Sequence, residues 1–158
     1  MNRERDPLLA IWLTSLSGLV LSIVPLNHWL GLFRPQFAAL VVLYWSIMSP
    51  RSGGILLGFA CGLMLDVFSG TLLGEHALAL SLMAYLGIRF NLLLRAKPLF
   101  QQSLFVFAAL VVYELVLWAV EGWSGHGLST PLRWLATPSG TLLWPILVGV
   151  LGRMHTEQ

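Results

Sequence analysis

The sequence predicts an all-α integral membrane protein with six transmembrane helices and with both termini in the cytoplasm. Of its 158 residues, 57% are hydrophobic and only 10% are charged, and the mean hydropathy is +0.80. A soluble domain carries about 25% charged residues, so this chain lacks the polar surface that water requires. Two further observations are a succession of apolar runs and an uneven distribution of basic residues between the runs. We therefore interpret residues 1–158 as a single polytopic transmembrane domain.

The apolar runs place six helices along the chain. A spanning helix takes about 20 residues, and the predicted spans cover residues 8–24, 35–48, 53–68, 75–94, 99–120 and 134–151. The second and third runs are short for full spans, since a helix rises only about 1.5 Å per residue. Five spans therefore remain an alternative, with these two runs forming a re-entrant hairpin. Pro138 and Pro145 predict a sixth helix that is kinked or begins late.

Basic residues predict the orientation. With a cytoplasmic N-terminus, seven of them fall in inner loops and two in outer loops, as the positive-inside rule requires for an even number of spans. The inner set is Arg3, Arg5, Arg51, Arg89, Arg95, Lys97 and Arg153, and the outer set is Arg34 and Arg133.

Small residues recur at every fourth position in two of the predicted helices. In the third helix and the break after it, this period-four row is Gly54, Gly58, Gly62, Asp66, Gly70 and Gly74. In the first helix the row is Ala10, Thr14, Gly18 and Ser22. Residues four apart lie on one face of a helix, and small residues there let two helices approach closely in lipid. Each row is therefore a candidate face either for packing within the chain or for binding a partner helix. Gly70 and Gly74 are interpreted as turn glycines instead.

Four ionisable residues are predicted to meet at the outer end of the third helix, and we name them the polar corner: Asp66, Glu75, His76 and Arg34. Asp66 falls about two residues inside the break, where an acid needs a partner or water. One interpretation is that it caps the turn or the start of the fourth helix by accepting backbone N–H bonds. Another pairs it with Arg34, His76 or a cation of a partner protein. Glu114 is a further acid in the fifth helix, and a proton relay through these acids has little support from their spacing.

The sequence carries no pattern typical of an enzyme. It contains no phosphate-binding glycine loop, no zinc-type pairing of His and Cys, and no nucleophile elbow. Cys61 is the single cysteine and is interpreted as a small packing residue. We therefore predict a non-enzymatic protein without catalytic residues, cofactor or metal. The net charge of +2 is too small to indicate nucleic-acid binding.

Several stretches of the chain resemble the MreD family of bacterial rod shape-determining membrane proteins. They are Arg-Pro-Gln-Phe at 34–37, Leu-Tyr-Trp at 43–45, the glycine-rich segment 58–78, Ala-Tyr-Leu at 84–86 with Arg89, and Pro-Leu-Phe-Gln-Gln at 98–102. The resemblance covers roughly residues 7–152. Its most specific part is the row of glycines around Asp66 with its flanking residues.

The resemblance implies a multi-pass protein of the bacterial inner membrane that belongs to the cell-elongation machinery. It implies direct binding to MreC, a single-span protein, and through it association with MreB and the elongation-specific peptidoglycan synthases. The implied role is to support peptidoglycan synthesis and the maintenance of rod shape. The small-residue faces are the predicted surfaces for MreC.

The resemblance also supplies an alternative. The family is distantly similar to the substrate-binding components of energy-coupling-factor vitamin transporters, which dock a partner through a small-residue row on their first helix. The alternative function is therefore a small-molecule-binding membrane subunit. A third possibility, handling of lipid-linked precursors, would use Arg34 and Arg133.

Overall fold

The computed structural model describes residues 8–25, 27, 29, 31, 33–125 and 131–156, with side chains up to residue 153. Over these residues the chain forms six α-helices and no strand. They are α1 (Leu8–Ile23), α2 (Phe37–Met48), α3 (Ile55–Ser69), α4 (Glu75–Arg95), α5 (Leu99–Ser124) and α6 (Ala136–Thr156). A short 3₁₀ helix, Pro131–Leu135, precedes α6. Arg3 and Arg5, which the sequence analysis placed on the inner side, lie outside the described residues.

The described helices fall into two length classes. Three segments are long and apolar enough to cross a membrane: Glu75–Arg95, Leu99–Ser124 and Pro131–Arg153. The remaining helices, α1, α2 and α3, are apolar but only 16, 12 and 15 residues long. At 1.5 Å per residue, α2 reaches only about 18 Å, against a hydrocarbon core of roughly 30 Å. The chain is thus a helical membrane protein, while the span count and the orientation of its termini stay predictions.

Helix α2 lies at the centre of the fold. Ten of its twelve residues are buried, including Leu40, Tyr44 and Trp45. It packs against α4 and α1 more extensively than against α3. A helix that is apolar on all sides suits this position, because it is covered by protein on every face. The C-terminal end of α2 is held by Arg95, which donates from Nε to the carbonyl of Ile47 at 2.9 Å.

Helix α4 makes the most extensive contacts with the other described helices. Its most extensive contact is with α3, followed by those with α2 and α5. It approaches α2 so closely that a Cβ at Gly87 would lie 2.7 Å from Ser46 Cβ. Ser46 in turn donates to the carbonyl of Gly53 at 2.6 Å, which fixes the turn between α2 and α3. Small residues thus bring α2, α3 and α4 together as one packed unit.

The last helix begins late, as its prolines predicted, and two residues after the start of the predicted span. The predicted span started at residue 134, whereas the backbone is 3₁₀ over Pro131–Leu135 and α-helical only from Ala136. Pro138 lies in the first turn of α6, where a missing N–H removes no helical hydrogen bond. Pro145 lies inside the helix.

Candidate functional site

The polar corner forms where α3 ends and α4 begins. Helix α3 ends because Gly70 adopts a left-handed conformation with φ 65°, and its N–H bonds back to the carbonyl of Asp66. Gly74 has φ 103° and turns the chain into α4. A side chain would strain both positions, so the two turn glycines perform the role that the sequence predicted for them. The tight return places the last turn of α3 against the first turn of α4.

The Asp66 carboxylate lies on the N-terminus of α4. Oδ2 accepts the backbone N–H of Gly74 at 2.8 Å, and Oδ1 accepts that of His76 at 2.9 Å. A longer contact of 3.4 Å joins Oδ2 to the N–H of Ala77. These donors have no partner within α4, and an anion is favoured at a helix N-terminus. Asp66 is only 1% exposed, and it therefore acts as a buried cap that joins two helices.

The imidazole ring of His76 contacts the carboxylate of Asp66. Its Nδ1 lies 2.9 Å from Asp66 Oδ1, and Thr71 Oγ1 donates to the same oxygen at 3.2 Å. The ring also faces Tyr113 of α5, with ring centroids 6.4 Å apart. Because Nδ1 is engaged, Nε2 is the ring nitrogen left for other contacts.

Arg34 does not pair with Asp66. Its guanidinium donates to the carbonyl of Leu21 near the C-terminal end of α1. Partial burial lowers the pKa of Arg34. Arg34 and His76 nevertheless line the same cavity of about 150 Å³, which also includes Ser22 and Gln36. The structure therefore brings all of the polar corner to one end of the bundle but leaves Arg34 beside the Asp66–His76 pair.

Glu75 occupies the first position of α4 and is 6% exposed. No hydrogen bond of its carboxylate to another described residue is present. It lines a cavity of about 430 Å³ together with Glu121, Ser124 and the turn residues that follow α3.

A second charged cluster, which the sequence analysis did not assemble, lies close by. Arg133 Nε contacts Glu114 Oε2 at 2.6 Å, and the same guanidinium contacts Glu121. Gln36 Nε2 donates to the other oxygen of Glu114. Glu114 is 3% exposed, so this buried acid is satisfied within the chain. One signal in the sequence pointed to the cluster: Glu114 and Glu121 are seven residues apart and so share one face of α5.

The glycine row of α3 packs inside the protein. A Cβ at Gly58 would lie 2.6 Å from the carbonyl oxygen of Leu80, and one at Gly62 would lie 2.3 Å from Ala77 Cα. Gly54 faces the same helix less closely, since its Cβ would lie 4.0 Å from Ile88 Cδ1. Gly58 and Gly62 are thus closely covered by α4. Of the two roles that the sequence left open for this row, these contacts show packing within the chain, and partner binding by this row stays a prediction.

The row on α1 is also largely internal. Thr14 accepts a hydrogen bond from Trp45 Nε1 at 2.8 Å, and Ser22 Oγ accepts one from Ala38 N at 3.2 Å. A Cβ at Gly18 would lie 3.2 Å from Val41 Cγ2, and Ala10 is 1% exposed. This row therefore packs on α2. Only Thr14 and Gly18 also border an open groove, which lies between α1 and α6.

Among the described residues, no group of three or more His, Cys, Asp and Glu side chains is arranged to hold a metal ion. Cys61 is buried and free.

Apolar helices of spanning length, arranged around polar groups that are satisfied within the chain, define a polytopic helical membrane protein. Comparison with known proteins then identifies the family. The model of the family described as rod shape-determining protein MreD matches residues 4–154. The rod shape-determining protein MreD of Haemophilus influenzae is 33% identical over 141 residues, which is 85% of each chain. The chain therefore belongs to the MreD family. No solved structure matches it.

Proposed function

We propose that this protein is a non-enzymatic, multi-pass component of the cell-elongation machinery in the inner membrane, where it binds MreC directly and supports peptidoglycan synthesis. The observation that carries the proposal is the family match over nearly the whole chain, which connects the protein with bacterial cell shape. Through MreC the protein associates with MreB and the elongation-specific peptidoglycan synthases. The proposal includes six spans with both termini in the cytoplasm, which the distribution of basic residues supports.

The groove between α1 and α6 is the surface that we propose for the membrane helix of MreC. It has a volume of about 290 Å³, and the small residues Thr14, Ser17 and Gly18 line one side of it. Its opposite wall consists of aliphatic residues of α6, including Ile146 and Val150. Helix association in lipid depends on close van der Waals contact, which small residues beside an aliphatic wall permit. Unlike the glycine face of α3, this groove is open at the surface of the bundle.

Co-purification of tagged protein with MreC tests this surface. Ser17→Trp or Val150→Trp fills the groove with an indole ring and is expected to reduce the recovered MreC at least about fivefold, a loss of about 1 kcal/mol. Leu92→Trp is the matched control, because Leu92 is 81% exposed on α4, away from this groove. Unchanged recovery with both groove variants, at normal expression, would show that MreC binds elsewhere. Failure of the wild-type protein to recover MreC at all would refute direct binding.

The alternative of a small-molecule-binding subunit stays a prediction with less support from the geometry. Ligand pockets typically measure about 300–1,000 Å³. The cavity beside Arg34 measures about 150 Å³. The larger one beside Glu75 presents the carboxylates of Glu75 and Glu121 and is not enclosed by apolar walls.

A further inference from the structure

Two cavities of opposite character lie side by side where α1 and α3 end. One is polar, has a volume of about 150 Å³, and is lined by Ser22, Arg34, Gln36 and His76 among others. The other measures about 530 Å³ and is lined only by apolar residues, among them Ile23 of α1 and Phe68 of α3. The same two helices wall both cavities with residues that are adjacent in sequence. Ser22 is followed by Ile23, and Phe68 is followed by Ser69, which faces the polar cavity.

The polar cavity carries a positive charge that the described residues do not neutralise. No described carboxylate forms an ion pair with Arg34, whereas Asp66, Glu114 and Glu121 all contact cationic or cation-forming side chains. Arg34 Nε is also buried without a hydrogen-bond partner. A buried donor that remains unpaired costs about 1–3 kcal/mol, so this site favours a ligand with an anionic acceptor.

Gln36 supplies an unpaired acceptor in the same cavity. Its Nε2 must face Glu114, because a carboxylate only accepts hydrogen bonds, and this assignment fixes Oε1 as the free atom. Oε1 is buried and has no partner. A ligand that satisfies both residues therefore combines an anionic group for Arg34 with a hydroxyl for Gln36. The cavity volume of about 150 Å³ suits a compact headgroup.

We propose that this pair of cavities binds one anionic phospholipid whose headgroup carries a hydroxyl, such as phosphatidylglycerol. Its phosphate accepts from Arg34 Nε and its hydroxyl donates to Gln36 Oε1. One acyl chain lies along the apolar groove between α1 and α3. The site is separate from the groove between α1 and α6, so this proposal does not depend on the one for MreC.

Native mass spectrometry of the full-length protein tests the proposal. The protein is reconstituted in nanodiscs with equal amounts of phosphatidylglycerol and phosphatidylcholine, released into mild detergent, and analysed for retained lipid. The wild type is expected to retain one phosphatidylglycerol in at least fivefold preference, about 1 kcal/mol. Arg34→Gln is expected to abolish that preference, because it removes the charge-assisted hydrogen bond to the phosphate. Lys97→Gln is the matched control, because it removes the same charge from the far end of α4.

Two further measurements test whether the acyl chain in the apolar groove is needed for binding, or whether the headgroup alone binds. Val20→Trp leaves the charges intact but fills the apolar groove at a residue that is 53% exposed, and it is expected to reduce retention of the lipid. Glycerol phosphate at millimolar concentration is expected not to displace it. Equal retention of both lipids by the wild type would overturn the proposal. The proposal would also be overturned if the Arg34→Gln and Val20→Trp variants both retained phosphatidylglycerol as the wild type does. Binding of glycerol phosphate in place of the lipid would overturn it too. A peptide found in the groove would overturn it as well.

Discussion

Gly62→Ala is the substitution for which the structure makes the sharpest prediction. The new Cβ would lie 2.3 Å from Ala77 Cα and 2.4 Å from Ala77 N. Carbon atoms in contact are about 3.5–4.0 Å apart, so α3 and α4 must separate by about 1.2 Å or more. Both clashing atoms belong to the backbone, which cannot move aside as a flexible side chain can. The separation also stretches the contacts of Asp66, one turn further along α3, with the N-terminus of α4.

The expected loss of stability can be worked out from these contacts. Overpacking costs about 1–3 kcal/mol, and one weakened hydrogen bond adds about 1 kcal/mol. Replacing a helical glycine by alanine returns up to about 1 kcal/mol through helix propensity. The net destabilisation is therefore about 2 kcal/mol, which lowers the midpoint of thermal unfolding by about 4–8 °C for a chain of this size.

The assay is thermal unfolding of the purified protein in detergent, followed by circular dichroism. Gly149→Ala is the matched control, because nothing lies within 4 Å of a Cβ at that position of α6. The control is expected to unfold at the wild-type temperature or slightly above it. If Gly62→Ala also unfolds at or above the wild-type temperature, the close packing of α3 on α4 is refuted.

Three more predictions follow from the charged groups and the topology. Asp66→Asn keeps the shape of the side chain but turns an NH₂ toward backbone donors, and is expected to lower the free energy of unfolding by about 1–3 kcal/mol. An unchanged unfolding midpoint would refute the capping role. Arg133→Gln leaves Glu114 buried without its cation and is expected to lower the free energy of unfolding by about 3–5 kcal/mol. Adding Glu114→Gln is expected to restore part of that loss, and strict additivity of the two changes would contradict the ion pair. A C-terminal green fluorescent protein is expected to fluoresce and a C-terminal alkaline phosphatase to be inactive; the reverse pattern would refute a cytoplasmic C-terminus.

The positions of the helices in the sequence were easier to predict than whether lipid or protein surrounds each helix. The start of α4 at Glu75 and that of α5 at Leu99 coincide with the predicted ones, because Gly74 and Pro98 mark those boundaries in the sequence. The central burial of α2 was not predicted. A continuous apolar run is the same whether lipid or protein covers it, so hydropathy alone could not place α2 inside the bundle.

A row of small residues likewise predicts that another helix approaches closely, but it does not specify which helix. The row through Gly58 and Gly62 correctly indicated a tight helix contact, but whether α4 or another protein fills it depends on the return of the chain at Gly74. Polar contacts across the fold were the hardest to foresee. Asp66 bonds to residues within eleven positions of it, whereas Gln36 and Glu114 are 78 positions apart. Local sequence cannot specify such a pairing.

The central claim is that this protein maintains rod shape, and its depletion tests that claim most directly. The protein is placed under an inducible promoter in its native bacterium, and the length and width of growing cells are measured by microscopy after the inducer is removed. Cells are expected to widen and become round, and re-expression of the wild-type protein is expected to restore rods. Cells that remain rod-shaped after the protein has disappeared from the membrane would contradict the account.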